Sequence, residues 1–188
     1  MSSHHIVREN QEPALIVDSV EDLSDEYIGQ LLEWCPTVFV SETTLSYFLL
    51  RDIKADFLVQ TGSSLQHAQQ DMKVIPQKLG VIKDSLDYLC SHNYGAVNII
   101  TPMLPDHLEA YCQRINMVFF TNQRRYIQAF DRYEKWAVKG VKIYVDMGSV
   151  ASIQGLRVIR QDVLETTQEG FYSITPAPGV CVKIGEEI

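Results

Sequence analysis

The chain has 188 residues and a mass of 21.4 kDa; it is 46% hydrophobic and 21% charged, with 24 acidic against 16 basic side chains and a formal net charge of −8. That length buries a sizeable core in one or two domains, and the hydrophobic fraction excludes wholesale disorder. The acidic balance excludes a generic binder of nucleic acid or anionic membrane, and no apolar run approaches the roughly 18 residues of a membrane span. The opening from Met1 to Gln11 is polar and lacks the apolar region of a secretory signal, so the expectation is a soluble cytoplasmic protein with a flexible tail over residues 1–12.

Ala14 to Asp18 is a short apolar run suited to a buried strand. Ser24 then opens a helix, with Asp25 and Glu26 in its first turn and Tyr27, Ile28, Leu31, Leu32 and Trp34 as the apolar stripe; Pro36 ends it. Thr37 to Val40 reads as a strand, Thr43 to Leu50 as a helix and Phe57 to Val59 as a strand halting at Thr61-Gly62-Ser63-Ser64. Met72 to Ile75 is a further short strand, Asp84 to Asn93 a helix with Leu86 and Leu89 inward, Ala96 to Ile100 a buried strand and Leu104 to Cys112 a helix. Strands alternating with helices through short connections predict a parallel sheet with helices on both faces, a Rossmann-like three-layer α/β domain. In such sheets the site forms at the carboxyl ends of the strands.

The rhythm changes after Met117. Val118 to Phe120, Tyr126 to Phe130, Lys142 to Val145, Gly155 to Ile159, Gly170 to Ile174 and Val180 to Ile184 are short β-rich runs separated by Gly or polar breaks. These predict a small C-terminal β domain of sandwich or barrel type. The expected division is residues 13–121 and 122–188. Cys35, Cys90, Cys112 and Cys181 are widely spaced, form no CxxC pair and sit in or beside apolar stretches, so they read as free thiols rather than a metal cluster. His107 and Cys112 lack the surroundings of a catalytic thiol motif.

Each polar candidate has a functional and a plainer reading. Ser41-Glu42-Thr43 follows a strand and precedes a helix. Glu42 is there either the one metal-competent carboxylate of a cleft, flanked by hydroxyls for a nucleotide, or a first-turn residue behind a Ser41 N-cap. Thr61, Gly62, Ser63 and Ser64 form a small-residue loop whose backbone N–H groups suit a phosphate, yet no Walker Gly-Lys-Ser/Thr ends it and it also reads as a plain turn. Asp106-His107 follows Pro105, as a polar pair orienting substrate or metal-bound water, or as a helix N-terminus. Trp136 is placed to stack on a flat ring or to pack a domain junction, and Arg124-Arg125 to meet a phosphate or lie solvated.

The order of these features resembles the thiamine pyrophosphokinase family over most of residues 14–188. The family's Asp-Gly-Gly turn corresponds to Ser41-Glu42-Thr43, its Gly-Asp-Phe-Asp-Ser turn to Gln60-Thr61-Gly62-Ser63-Ser64, its Thr-Asp to Gly80-Val81, and its Arg-x-Asp-His element to Leu104-Pro105-Asp106-His107. Its Thr-Ser-Asn-Glu-like turn corresponds to Thr166-Thr167-Gln168-Glu169. The resemblance implies transfer of pyrophosphate from ATP to thiamine with Mg²⁺, in a homodimer whose sites lie between subunits. Thr166, Thr167 and Gln168, with Trp136, would then face the thiamine-like ligand, and Glu42 and Asp106 would serve as catalytic and metal-binding carboxylates. Most of the family's acidic positions are replaced here, so the expected function is a divergent or degenerate member binding a nucleotide or thiamine-like ligand in the cleft between domains. An active pyrophosphokinase with rearranged ligands requires Glu42, Asp106 and Asp84 to converge. A non-enzymatic homodimeric structural or regulatory module requires a filled or apolar cleft.

Overall fold

The computed structural model describes residues 12–21, 23–34, 36–62, 69 and 71–188, and the chain divides into two compact units, Met1–Met117 and Val118–Ile188. The expected tail before residue 12, together with Cys35, Ser63 and Ser64, lies outside the described residues.

The first unit holds five parallel strands, β1 (Ala14–Val17), β2 (Val38–Ser41), β3 (Phe57–Gln60), β4 (Lys73–Pro76) and β5 (Ala96–Ile100), in the spatial order β5-β1-β2-β3-β4. β1, β2 and β3 are buried at every position, which is why they read as continuous apolar runs rather than alternating ones. β4 closes the edge and is exposed at Lys73 and Pro76; a proline is tolerated there because an edge strand has a free N–H side. Among the described residues, three helices connect the strands: α1 (Asp25–Leu32), α2 (Leu45–Leu50) and α3 (Val81–Ser91). Ser24 caps α1, its hydroxyl accepting from the Tyr27 N–H at 3.2 Å. α1 and α2 are tied at the surface by Arg51 and Tyr47, which both donate to Asp25, at 2.8 and 3.0 Å. α3 buries Leu86 and Leu89 and sets Tyr88 on an aromatic ladder, with Phe57 at 4.5 Å and Phe39 stacked on Phe57 at 4.5 Å.

The second unit is antiparallel. Its larger sheet runs β6 (Asn116–Thr121), β7 (Arg124–Ala129), β14 (Val182–Glu187), β9 (Lys142–Val145), β12 (Val163–Thr166) and β11 (Leu156–Arg160) in spatial order. A three-stranded sheet orders β10 (Val150–Gln154), β13 (Gly170–Pro176) and β8 (Tyr133–Ala137). Ile143, Val145, Leu164, Val182 and Ile184 of the first sheet and Tyr172 and Ile174 of the second form one buried cluster. The β6–β7 hairpin turns on Asn122 and Gln123, at φ 50° and 58°, the pair of left-handed residues that matches the twist of adjoining strands.

Several expectations are corrected. Trp34 is 68% exposed, because α1 ends at Leu32 before the stripe reaches it. No α-helix spans Leu104–Cys112: His107 stands at φ 58°, a left-handed conformation that breaks a right-handed helix, and only a 3-10 turn at Glu109–Tyr111 forms. α3 starts at Val81, a turn before Asp84, and α2 is entered from Thr44 rather than from a Ser41 N-cap. β8, β10 and β12 are additional strands, the first two half-exposed and mixing charge or small polar residues into the run.

Candidate functional site

The chain lays down β1 to β4 in one direction across the sheet and then returns to place β5 on the other side of β1. The carboxyl ends of β1 and β5 therefore flank the topological switch point, where open parallel sheets leave a crevice for ligands. Asp18 follows β1 and Thr101 follows β5. A cavity of about 320 Å³ opens there, lined by Asp18, Gln77, the start of α3 from Leu79 to Lys83, Pro105 and Leu108. Its volume falls at the small end of the roughly 300–1,000 Å³ that houses small-molecule ligands.

Asp18 is part-buried, and burial pushes its carboxyl up from the ordinary value, the Thr101 hydroxyl offsetting part of that rise. Thr101 has one proton to give. Its oxygen stands 3.0 Å from the Met103 carbonyl and 3.5 Å from the Asp18 carboxylate, so the carbonyl takes the better bond and the carboxylate is left poorly satisfied. Asp18 was not among the sequence candidates; the available signal was a carboxylate directly terminating the wholly apolar Ala-Leu-Ile-Val run. Gln77 and Lys83 were missed too, since neither belongs to a motif.

Gly80 precedes α3 at φ 107°, a conformation that favours glycine, and space for a Cβ is open there. Asp84, buried in the first turn of α3, turns its carboxylate back onto the chain: it accepts from the Lys78 N–H at 2.7 Å and the Leu79 N–H at 3.1 Å. It holds the cavity's rim rather than facing a ligand.

The other candidates divide into those that meet and those that do not. Glu42 and Thr61 meet across the ends of β2 and β3, the Thr61 hydroxyl donating to Glu42 at 3.2 Å, both exposed. Ser41 is buried and committed to its own turn: its hydroxyl lies 2.8 Å from that of Thr43 and 3.0 Å from that of Thr44, and accepts from the Thr44 N–H. Thr44 in turn donates to the Val17 carbonyl at 2.9 Å, pinning this turn to β1. Gly62 is exposed beside Thr61, and Asp106 and His107 are exposed on the irregular segment before the 3-10 turn. Among the described residues no three His, Cys, Asp or Glu side chains gather as metal ligands. The donor set of the described residues does not fit the multi-carboxylate Mg²⁺ site that the resemblance implies, because no three of its carboxylates gather at one point and Asp84 is committed to two backbone amides.

In the second unit Thr166 is buried, donating to the Val138 carbonyl at 2.7 Å and accepting from the Val141 N–H at 2.9 Å; it staples the 138–141 loop. Thr167 is exposed and donates to the Gly155 carbonyl at 3.2 Å, and Gln168 is exposed beside it. Trp136 is 48% exposed opposite Phe171, itself 68% exposed, in the β8–β13 register. Arg124 lies over the Tyr144 ring at 3.7 Å. Among the described residues, Cys90, Cys112 and Cys181 form no disulfide.

No protein-family model matches the sequence, and no curated protein matches it. Solved structures do. The thiamine pyrophosphokinase of Bacillus subtilis matches with a TM-score of 0.58 at 11% identity, over 93% of this chain and 98% of that one. The fold is that of the thiamine pyrophosphokinases. The Geobacillus thermodenitrificans enzyme matches at TM-score 0.62 and 12% identity, over 93% of this chain and 96% of its own. Yeast thiamin pyrophosphokinase matches at TM-score 0.65 and 8% identity, over 96% of this chain and 88% of its own. The thiamine pyrophosphokinase fold is thus spanned nearly end to end, while the residues filling it have almost wholly changed. No helix among the described residues is long and apolar enough to cross a membrane.

Proposed function

We propose that this protein is a divergent member of the thiamine pyrophosphokinase fold that binds a nucleotide or thiamine-like small ligand and no longer transfers pyrophosphate from ATP to thiamine. The observation that carries this reading is a ligand-sized cavity at the sheet's switch point combined with a carboxylate set that does not fit Mg²⁺. Pyrophosphoryl transfer needs oxygen ligands that fix the metal against developing phosphate charge, and carboxylates that do not gather in a cluster, among the described residues, do not supply them. A binding role asks less: an apolar wall, a few oriented polar groups and a backbone able to approach the ligand. Leu79 to Lys83, Pro105 and Asp18 offer these. In this reading residues 13–121 handle the nucleotide-like part, residues 122–188 form the thiamine-binding-type β domain, and the protein acts as a cytoplasmic homodimer.

The test measures thiamine diphosphate formation from thiamine and ATP with Mg²⁺ at high protein concentration, beside an Asp106→Ala variant, together with calorimetric titration of thiamine and of nucleotides. Binding without turnover is the expected result. Robust turnover abolished by Asp106→Ala would overturn the proposal and establish an active pyrophosphokinase with rearranged ligands.

A further inference from the structure

The lining of the switch-point cavity is chemically lopsided, and the imbalance names a ligand class. Among the described residues it contains one carboxylate, Asp18, and one cation, Lys83; Gln77 adds an amide, and Leu79, Val81 and Pro105 are apolar. Asp18 and Gln77 end strands three places apart in the sheet, about 14 Å at roughly 4.8 Å per strand. A ligand reaching both ends is extended, with separate groups for each. The part-buried carboxylate has a reason to seek a partner from outside the protein, since among the described residues its hydroxyl partner, Thr101, spends its proton on the Met103 carbonyl.

We propose that Asp18 is the specificity-determining residue of this site, accepting the adjacent ring N–H and exocyclic N–H of a guanine-type base in a purine nucleoside monophosphate. The assignment rests on the ligand-binding reading above and deepens it. An ionised carboxylate is acceptor-only, with two oxygens spaced for two parallel donors. Guanine presents that pair, hypoxanthine keeps the ring N–H and lacks the amino group, and adenine turns a bare ring nitrogen toward the same position. The apolar side chains fit a flat base, and among the described residues of the lining Lys83 supplies the one positive charge, enough for a monophosphate and poorly matched to a triphosphate.

Calorimetric titration of GMP, IMP and AMP into the full-length protein and into Asp18→Asn tests this directly. The native protein is expected to bind GMP about 10- to 100-fold more tightly than AMP, the span of one charge-assisted hydrogen bond gained against one lost, with IMP between. Asp18→Asn, which offers a donor as well as an acceptor, is expected to remove most of that ratio. Equal binding of GMP and AMP by the native protein, or a ratio unchanged in Asp18→Asn, overturns the Asp18 assignment and leaves the ligand-binding reading standing; so does thiamine binding alone. Failure of all three nucleotides and of thiamine to bind at millimolar concentration overturns both. The native ratio decides the matter even if the variant does not fold.

Discussion

Removing the Asp84 carboxylate should destabilise the first unit and loosen the rim of the cavity. Asp84 is 8% exposed and accepts from two backbone N–H groups, those of Lys78 and Leu79, at 2.7 and 3.1 Å. Hydrogen bonds to a charged group contribute about 1.5–3 kcal/mol each. Lys78 and Leu79 are themselves exposed, so their amides regain water once the carboxylate is gone, and the summed loss shrinks to about 2–4 kcal/mol for Asp84→Ala. Asp84→Asn keeps one good acceptor and should lose about half as much. Urea denaturation followed by circular dichroism gives the free energies, and amide hydrogen exchange at Lys78 and Leu79 reports the loop directly. An Asp84→Ala protein within about 0.5 kcal/mol of the parent, with unchanged exchange at those two amides, would refute the reasoning. It would return Asp84 to the role of a free carboxylate available to a ligand.

Gly185 sits between Tyr126 and Tyr144 in the register of β7, β14 and β9, and a Cβ there would lie 2.3 Å from Tyr126 Cε1; Gly185→Ala should cost about 1–3 kcal/mol, read as a lowered melting temperature. Thr166→Val removes both a donor and an acceptor from a buried position and should cost about 2–4 kcal/mol, while Thr166→Ser, which keeps both bonds, stays within about 1 kcal/mol of the parent in the same denaturation assay. Ser85 is fully buried with its hydroxyl unpartnered among the described residues, so Ser85→Ala should be neutral or stabilising by about 1 kcal/mol in urea. The Tyr144 hydroxyl, 2.5 Å away, holds the Glu187 carboxyl below its ordinary value, with Lys142 and Arg124 adding to the effect. A depressed folded pKa gives stability above the unfolded value that is lost as pH falls through the folded one; Glu187→Gln should therefore lower the urea midpoint at pH 7 and match the parent at the acid end. For Asp18 the sign reverses, because burial raises its carboxyl: its destabilising contribution fades as pH falls through the raised folded value, and Asp18→Asn should gain on the parent at neutral pH.

Local signals carried the first unit well. Ala96–Ile100 was legible to the residue, because a largely buried strand of a parallel sheet is a bounded, mostly apolar run. The Ser24 cap was equally plain, a short hydroxyl followed by two acids at a helix entry. The segment around Asp106 was misread as helix because its apolar spacing suits one, and only the left-handed backbone at His107, which the sequence does not announce, says otherwise. In the second unit β8 and β10 stayed hidden, since half-exposed strands mix charge and apolar residues and gain their pairing from partners distant in sequence.

The site divides along the same line. The order of elements stands in the residues themselves, so the fold resemblance was written in the sequence. Which of the surviving polar groups meet was not. Thr166 and Ser41 read as ligand contacts and are instead spent on the Val138–Val141 loop and the Ser41–Thr44 turn, because a buried hydroxyl must find partners wherever the backbone leaves them. Asp18 read as the end of a strand. It faces a cavity only because β5 returns to pair beside β1, bringing Thr101 and Pro105 to a residue more than eighty positions earlier. Strand identity is a local property of side chains, but the crevice at a switch point belongs to the strand order, and that order is fixed by pairing across the whole sheet.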